Sequence, residues 1–275
     1  MNERAFDFVP LNRRDAKPRK RGLTEIRGPY YTPMGRRYLS DVLETMGHWI
    51  DGLKYAGGSF VLMPRERVRE LNALAHAHDV KVSTGGFVEH LLTLKNAGLI
   101  DRYLAECKEL GFDVVELSAG FLTMADDDLL RLVEKVQRAG LVPKPEVGIQ
   151  LGAGGATSAE RLERAGTRDV SRPIRTARRC LEAGAPIIMI ESEGITESVT
   201  EWRTDVVMRI ANELGLERVM FEAAEPAVFQ WYVQTFGPHV NLFVDHSQIV
   251  QLEALRSGIW GTHDLFGRVV TFQGE

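Results

Sequence analysis

Eight charged residues stand inside or at the ends of otherwise apolar runs. Arg27 ends LTEIR, Lys54 lies in IDGLKY, Glu116 in DVVELS, and Lys144 and Glu146 in LVPKPEV. Glu191 ends IIMIE, Glu222 ends RVMFE, and Asp245 ends VNLFVD. A carboxylate drawn into a low-dielectric interior costs several kcal/mol unless it is paired or bound to a metal. Glu116, Glu146, Glu191, Glu222 and Asp245 are hard oxygen donors, and no His/Cys ligand set accompanies them. That chemistry suits Mg²⁺ or Mn²⁺ better than Zn²⁺. Mg²⁺ is usually held by one or two carboxylates plus substrate oxygens and water, so not all five need be ligands.

Two Gly turns lie close to these charges. Lys54 is followed by Gly57, Gly58 and Ser59, and Ser83 and Thr84 by Gly85 and Gly86. A cation, hydroxyls and free backbone N–H groups together suit a phosphate. The alternative is that the glycines only permit positive φ. His246, directly after Asp245, joins the candidate binding residues. Cys107, Cys180, His76, His78 and His90 read as packed or surface side chains. The stretch 148–170 (GIQLGAGGATSAERLERAGTRDV) is the one long connection, and its place after Lys144 suggests a lid.

These residues need elements to position them, and a repeated unit supplies those elements. An amphipathic helix ends in a Gly or Asp turn and a short apolar strand follows, as in YLAECKELGFDVVELS and ARRCLEAGAPIIMIES. The pattern predicts strands at 23–27, 50–55, 80–84, 113–118, 141–147, 187–191, 218–222 and 240–245. Helices are predicted near 36–48, 65–78, 99–110, 126–139, 172–183, 199–214, 226–236 and 247–257, the last with Ser247 as N-cap. Eight strands alternating with eight helices is the count of a single-domain (β/α)₈ TIM barrel. A doubly wound sheet is disfavoured because its first βα turn would need a dinucleotide fingerprint, and RGPYY carries none. In a barrel the strand ends form one mouth, so the charged residues converge on one polar centre.

The 275 residues, 44% hydrophobic and 26% charged, exclude a disordered identity, and no apolar run is long enough to cross a membrane. The expected domains are a basic, flexible arm at 1–21, the barrel at 22–260 and a tail at 261–275. Seven basic residues of the arm (Arg4, Arg13, Arg14, Lys17, Arg19, Lys20, Arg21) offset an otherwise acidic body, within a net charge of −4. No nucleic-acid motif follows, so the arm reads as a tail lying over a neighbouring surface rather than a nucleic-acid contact. The expected setting is cytoplasmic, with a small phosphorylated molecule as ligand and a homo-oligomer left open.

The segments TEIRGPYY, IDGLKYAGGS, CKELGFDVVELSAG, CLEAGAPIIMIE, MFEAAEP and GPHVNLFVDHSQIVQLEALRSG resemble the phosphosulfolactate synthase family. They are closest to its branch containing plant heat-stress-associated proteins. The resemblance implies a (β/α)₈ barrel and Mg²⁺-dependent addition of sulfite to phosphoenolpyruvate, giving 2-phospho-3-sulfolactate for coenzyme M synthesis. Lys54, Glu116, Glu146, Glu191 and Glu222 fall where the synthases have the same residue types. Arg27-Gly28-Pro29 replaces the synthases' Asp-Lys-Gly, and Ile149-Gln150 replaces their lysines. The implied mechanism has Arg27 and Lys54 holding phosphate and carboxylate groups, with Lys144 as the acid that protonates C2 after an anionic nucleophile adds. The alternatives are a sister enzyme on another phosphorylated acid and a non-catalytic stress-associated protein that stabilises a partner.

Overall fold

The structure, a computed structural model, describes residues 4–118, 120, 122–149, 160 and 169–272. Eight parallel strands close into a barrel in chain order: β1 Thr24–Arg27, β2 Gly52–Lys54, β3 Lys81–Ser83, β4 Val114–Leu117, β5 Val142–Val147, β6 Ile188–Ile190, β7 Val219–Glu222 and β8 Leu242–Asp245. Each lies within a run predicted from the sequence, and the single-domain TIM barrel stands. Around them run α1 Arg36–Met46, α2 Arg65–His76, α3 Val88–Thr93, α4 Ala97–Leu110, α5 Asp126–Arg138, α6 Ser171–Glu182, α7 Thr204–Leu214, α8 Pro226–Phe236 and α9 Ile249–Arg256.

Local chemistry sets these boundaries. The Asn96 side chain accepts from Gly98 N at the start of α4, and Gly111 ends that helix at φ 83°, where a Cβ would be strained. Asp126, Asp127 and Asp128 fill the first turn of α5, where the helix dipole favours negative charge. Three expectations shift. The short helix α3 follows the Gly85–Gly86 turn and was absent from the predicted set. α7 starts at Thr204 rather than near 199. The expected N-cap at Ser247 is taken by Asp245, whose carboxylate accepts from Ser247 N and caps a 3₁₀ turn ahead of α9.

Most of the apolar core lies between sheet and helices, as with Ile174, Ala177 and Cys180 on the inner face of α6. A second cluster of Met189, Met220 and Phe243 fills the barrel interior. Beneath it, at the N-terminal end of the strands, is a cavity of about 820 Å³. Basic arm residues line that end or pack nearby and are engaged within the chain. Arg14 pairs with Glu253, Lys17 donates to the carbonyls of Gly47 (2.7 Å) and His78 (2.9 Å), and Arg19 pairs with Asp51 (2.8 Å). Among the described residues no helix is long and apolar enough to cross a membrane.

Candidate active site

Side chains two apart on a strand share a face, so each strand stacks its inward residues in layers along the barrel axis. Glu25 lies one layer below Arg27, Lys144 below Glu146, and Met220 below Glu222. The register sets Arg27 beside Lys54 and Asp245, and Glu116 beside Lys144. Polar side chains therefore occupy the layers towards the C-terminal mouth, and methionine and phenylalanine fill the space between them.

Glu146, Glu191 and Glu222 come together at the mouth. Each offers a carboxylate oxygen within 4.8 Å of the others, on the ends of three consecutive strands. Burial and the nearby Glu116 carboxylate push Glu146 up to about 7. Burial followed by Glu222 and Glu146 holds Glu191 well above the usual carboxylate range. Burial also raises Glu222, although Lys54 and Arg27 oppose it. Three crowded carboxylates that resist ionisation are what a divalent cation would relieve, and their hard oxygen donors fit Mg²⁺.

Lys54 links this triad to the layer below. Its Nζ lies 2.7 Å from Glu116 and 3.6 Å from Glu146, and 4.3 Å from the centre of the Phe243 ring. Burial disfavours its charge, but Glu116 and Glu146 more than compensate and hold it firmly protonated. Glu116 is likewise held below the usual range by Lys54 and Lys144 despite complete burial. Lys144 does not reach the triad. Its amine sits 2.5 Å from Glu25 and 3.1 Å from Glu116, and it lines the cavity at the N-terminal end with Glu25, Val114, Val142 and Met220. Two of the five expected carboxylate ligands thus have other work: Glu116 bridges the two lysines, and Asp245 caps the turn after β8.

Arg27 donates to Glu222 at 2.7 Å and to the Tyr31 hydroxyl at 3.0 Å, and its buried Nε finds no partner among the described residues. Its guanidinium stands against the rings of Tyr31 and Phe243. His246 places Nδ1 at 2.9 Å from the Arg27 carbonyl; since a carbonyl only accepts, Nδ1 carries the proton. Both Gly turns have a packing reason. A Cβ on Gly57 would meet Tyr30 at 2.6 Å, one on Gly58 would meet Phe87 at 2.1 Å, and one on Gly85 would meet the Tyr55 carbonyl at 2.4 Å. All three have positive φ. Ser83 Oγ accepts from Gly85 N, Thr84 Oγ1 donates to the Gly85 carbonyl, and the buried Ser59 Oγ has no hydrogen-bond partner among the described residues. The lid expected over 148–170 lies largely outside the described residues.

Sequence reasoning passed over two contributors. Glu25 was visible as the residue co-facial with Arg27, and its partner Lys144 was legible, but not their pairing across the barrel. Tyr31 lies in the βα turn RGPYY, where nothing marks which tyrosine turns back to Arg27.

Residues 12–262 match the family described as (2R)-phospho-3-sulfolactate synthase (ComA). The Arabidopsis thaliana Protein HEAT-STRESS-ASSOCIATED 32 is 38% identical over 253 residues, covering 88% of each chain. The phosphosulfolactate synthase of Methanothermobacter thermautotrophicus is 27% identical over 272 residues, covering 96% of this chain and 98% of that one. The Bacillus subtilis phosphosulfolactate synthase is 26% identical over 262 residues, covering 92% and 96%. Among solved structures, the carboxyl transferase domain from Rhizobium etli pyruvate carboxylase with 3-bromopyruvate aligns with a TM-score of 0.57 at 12% identity. That alignment covers 82% of this chain and 40% of the other, and the likeness is one of fold. By the match over most of its length, the chain belongs to the (2R)-phospho-3-sulfolactate synthase family.

Proposed function

We propose that the chain is a carbon–sulfur lyase of the synthase type, adding sulfite or a related anionic nucleophile to phosphoenolpyruvate to give 2-phospho-3-sulfolactate. The observation that carries this reading is the half-buried triad Glu146–Glu191–Glu222 with Lys54 against it. Glu146, Glu191 and Glu222 would hold Mg²⁺, which when bound supplies Lewis acidity to a substrate carboxylate. Arg27, pinned by Glu222 and Tyr31, would orient an anionic group with the guanidinium N–H donors that those two contacts leave over. Nucleophile addition at C3 moves the double-bond electrons towards C2 and the carboxylate. Lys54, rather than Lys144, faces that developing charge and delivers a proton from Nζ to C2. The Phe243 ring and the layer beneath keep bulk water from the ammonium.

The barrel interior also weighs against the non-catalytic reading suggested by the heat-stress-associated relative. Lys54, Lys144, Glu25, Glu116 and the triad are all buried or nearly so, an arrangement costly to maintain without use. A sister enzyme with another phosphorylated acid shares the same chemistry at the mouth. Following phosphorus NMR with phosphoenolpyruvate, Mg²⁺ and sulfite tests the reading. A new phosphomonoester signal is expected, lost in Lys54→Met. Binding of phosphoenolpyruvate without turnover would move the assignment to the sister enzyme, and no binding at all would overturn both.

A further inference from the structure

The cavity at the N-terminal end of the strands lies at the opposite end of the barrel from the Glu146–Glu191–Glu222 triad. A (β/α)₈ barrel ordinarily fills its interior with layered side chains, but here about 820 Å³ lies open, a volume typical of small-molecule sites. Its walls are apolar residues at the strand starts: Leu23, Val80, Val114, Val142, Ile187 and Met220. Pro18, Arg19 and Lys20 of the arm form part of the lining. Two charged side chains of that lining, Glu25 and Lys144, are only 5% and 4% exposed. The Lys144 ammonium has three N–H donors and meets two acceptors, Glu25 Oε2 at 2.5 Å and Glu116 Oε2 at 3.1 Å, so one donor is left over. Glu25 Oε1 has no hydrogen-bond partner among the described residues and is not sealed in by its neighbours. Gly52, which also lines the cavity, makes the room for it. Glycine weakens a strand, yet a Cβ at this position of β2 would meet Glu25 Cγ at 3.1 Å and Oε1 at 3.3 Å.

We infer that the base of the barrel is a second small-molecule site, for an uncharged carboxamide or lactam carried on an apolar body. The Glu25–Lys144 pair presents one acceptor beside one donor, which an amide answers with its N–H and its carbonyl together. The buried charges here are already matched, Lys144 with Glu25 and Arg19 with Asp51 at 2.8 Å. A ligand carboxylate would be pressed against Glu25 and a ligand ammonium against Lys144, each losing water without gaining a free counter-charge. A hydrocarbon would leave the donor and the acceptor unanswered. Because the arm supplies part of the lining, a bound amide also holds residues 18–20 in place. No residue of the mouth takes part, so the site stands apart from the lyase reading.

Saturation-transfer NMR on the full chain tests this independently of any activity, with 3-phenylpropanamide, 3-phenylpropanoate and ethylbenzene as probes. The amide is expected to bind, and the anion and the hydrocarbon to bind at least tenfold more weakly. Val142→Phe, at a half-buried wall position, fills the cavity and should abolish amide binding. Ile187→Phe, half-buried at another strand start, should do the same and serves if the first variant fails to fold. Trypsin cleavage after Arg19, whose side chain is paired with Asp51, reports release of the arm and should slow when the amide is bound. No amide binding, or binding of the anion or the hydrocarbon as tight as that of the amide, would overturn the inference. Amide binding indifferent to the folded variants, or without effect on cleavage, would place the amide elsewhere and overturn it equally.

Discussion

Lys54 and Lys144 have the same side chain and opposite duties. Lys54 touches Glu146 of the mouth triad, and Lys144 is clamped between Glu25 and Glu116 one layer lower. Lys54→Met is expected to lower turnover by about 10²–10³-fold while the chain stays folded. Lys144→Met takes from buried Glu25 the amine 2.5 Å away and leaves Glu116 with Lys54 alone, and urea titration should show a loss of about 3–5 kcal/mol. The triad has its own pH signature. Glu146 stands near 7 in the fold against 4.5 when unperturbed, and Glu191 and Glu222 are raised in the same direction. Between those values the native chain holds more protons than the unfolded one, so metal-free stability should fall as pH rises from 4.5 to 7. Melting curves across that window check the sign; a rise attributable to these residues, absent in Glu191→Gln, would contradict it.

At the scale of elements, the βα turns are packed against one another more tightly than their Gly composition suggests. Gly58 lies under Phe87, and Gly85 under the Tyr55 carbonyl, both at positive φ. Gly85→Ala is expected to destabilise the chain by more than about 1 kcal/mol, because backbone blocks the new Cβ and cannot rotate aside. Calorimetry measures it. The strands were legible because buried parallel strands must be short apolar runs bounded by helix-ending glycines. The charged residues within IIMIE and RVMFE were legible for the same reason, as exceptions to an apolar rule. Their grouping was not. Which carboxylate binds a lysine, which caps a turn and which faces the mouth depends on strand stagger around the closed barrel, and neighbours such as Glu25 and Lys144 are 119 residues apart. The short helix α3 escaped because six residues give too little periodicity to separate helix from loop.

At the scale of the whole molecule the barrel has two chemically different ends. The mouth carries carboxylates that resist ionisation. The other end is tied to the basic arm through Arg14, Glu253 and Arg256, with Arg256 fully buried and pushed down to about 9 by burial and by Arg14. Glu253→Gln leaves two guanidinium groups facing each other, and a loss of about 3–5 kcal/mol with little change at the mouth is expected from paired denaturation and metal-binding measurements. For the proposed chemistry the mouth must be a divalent-cation site that accepts a phosphorylated acid. Titration of the chain with Mn²⁺, followed by electron paramagnetic resonance with and without phosphoenolpyruvate, tests that most directly. One bound Mn²⁺ per chain, tightened by phosphoenolpyruvate and lost in both Glu191→Gln and Glu222→Gln, is the expected result. Mn²⁺ that binds equally well to those variants, or fails to bind the wild-type chain at all, would contradict it.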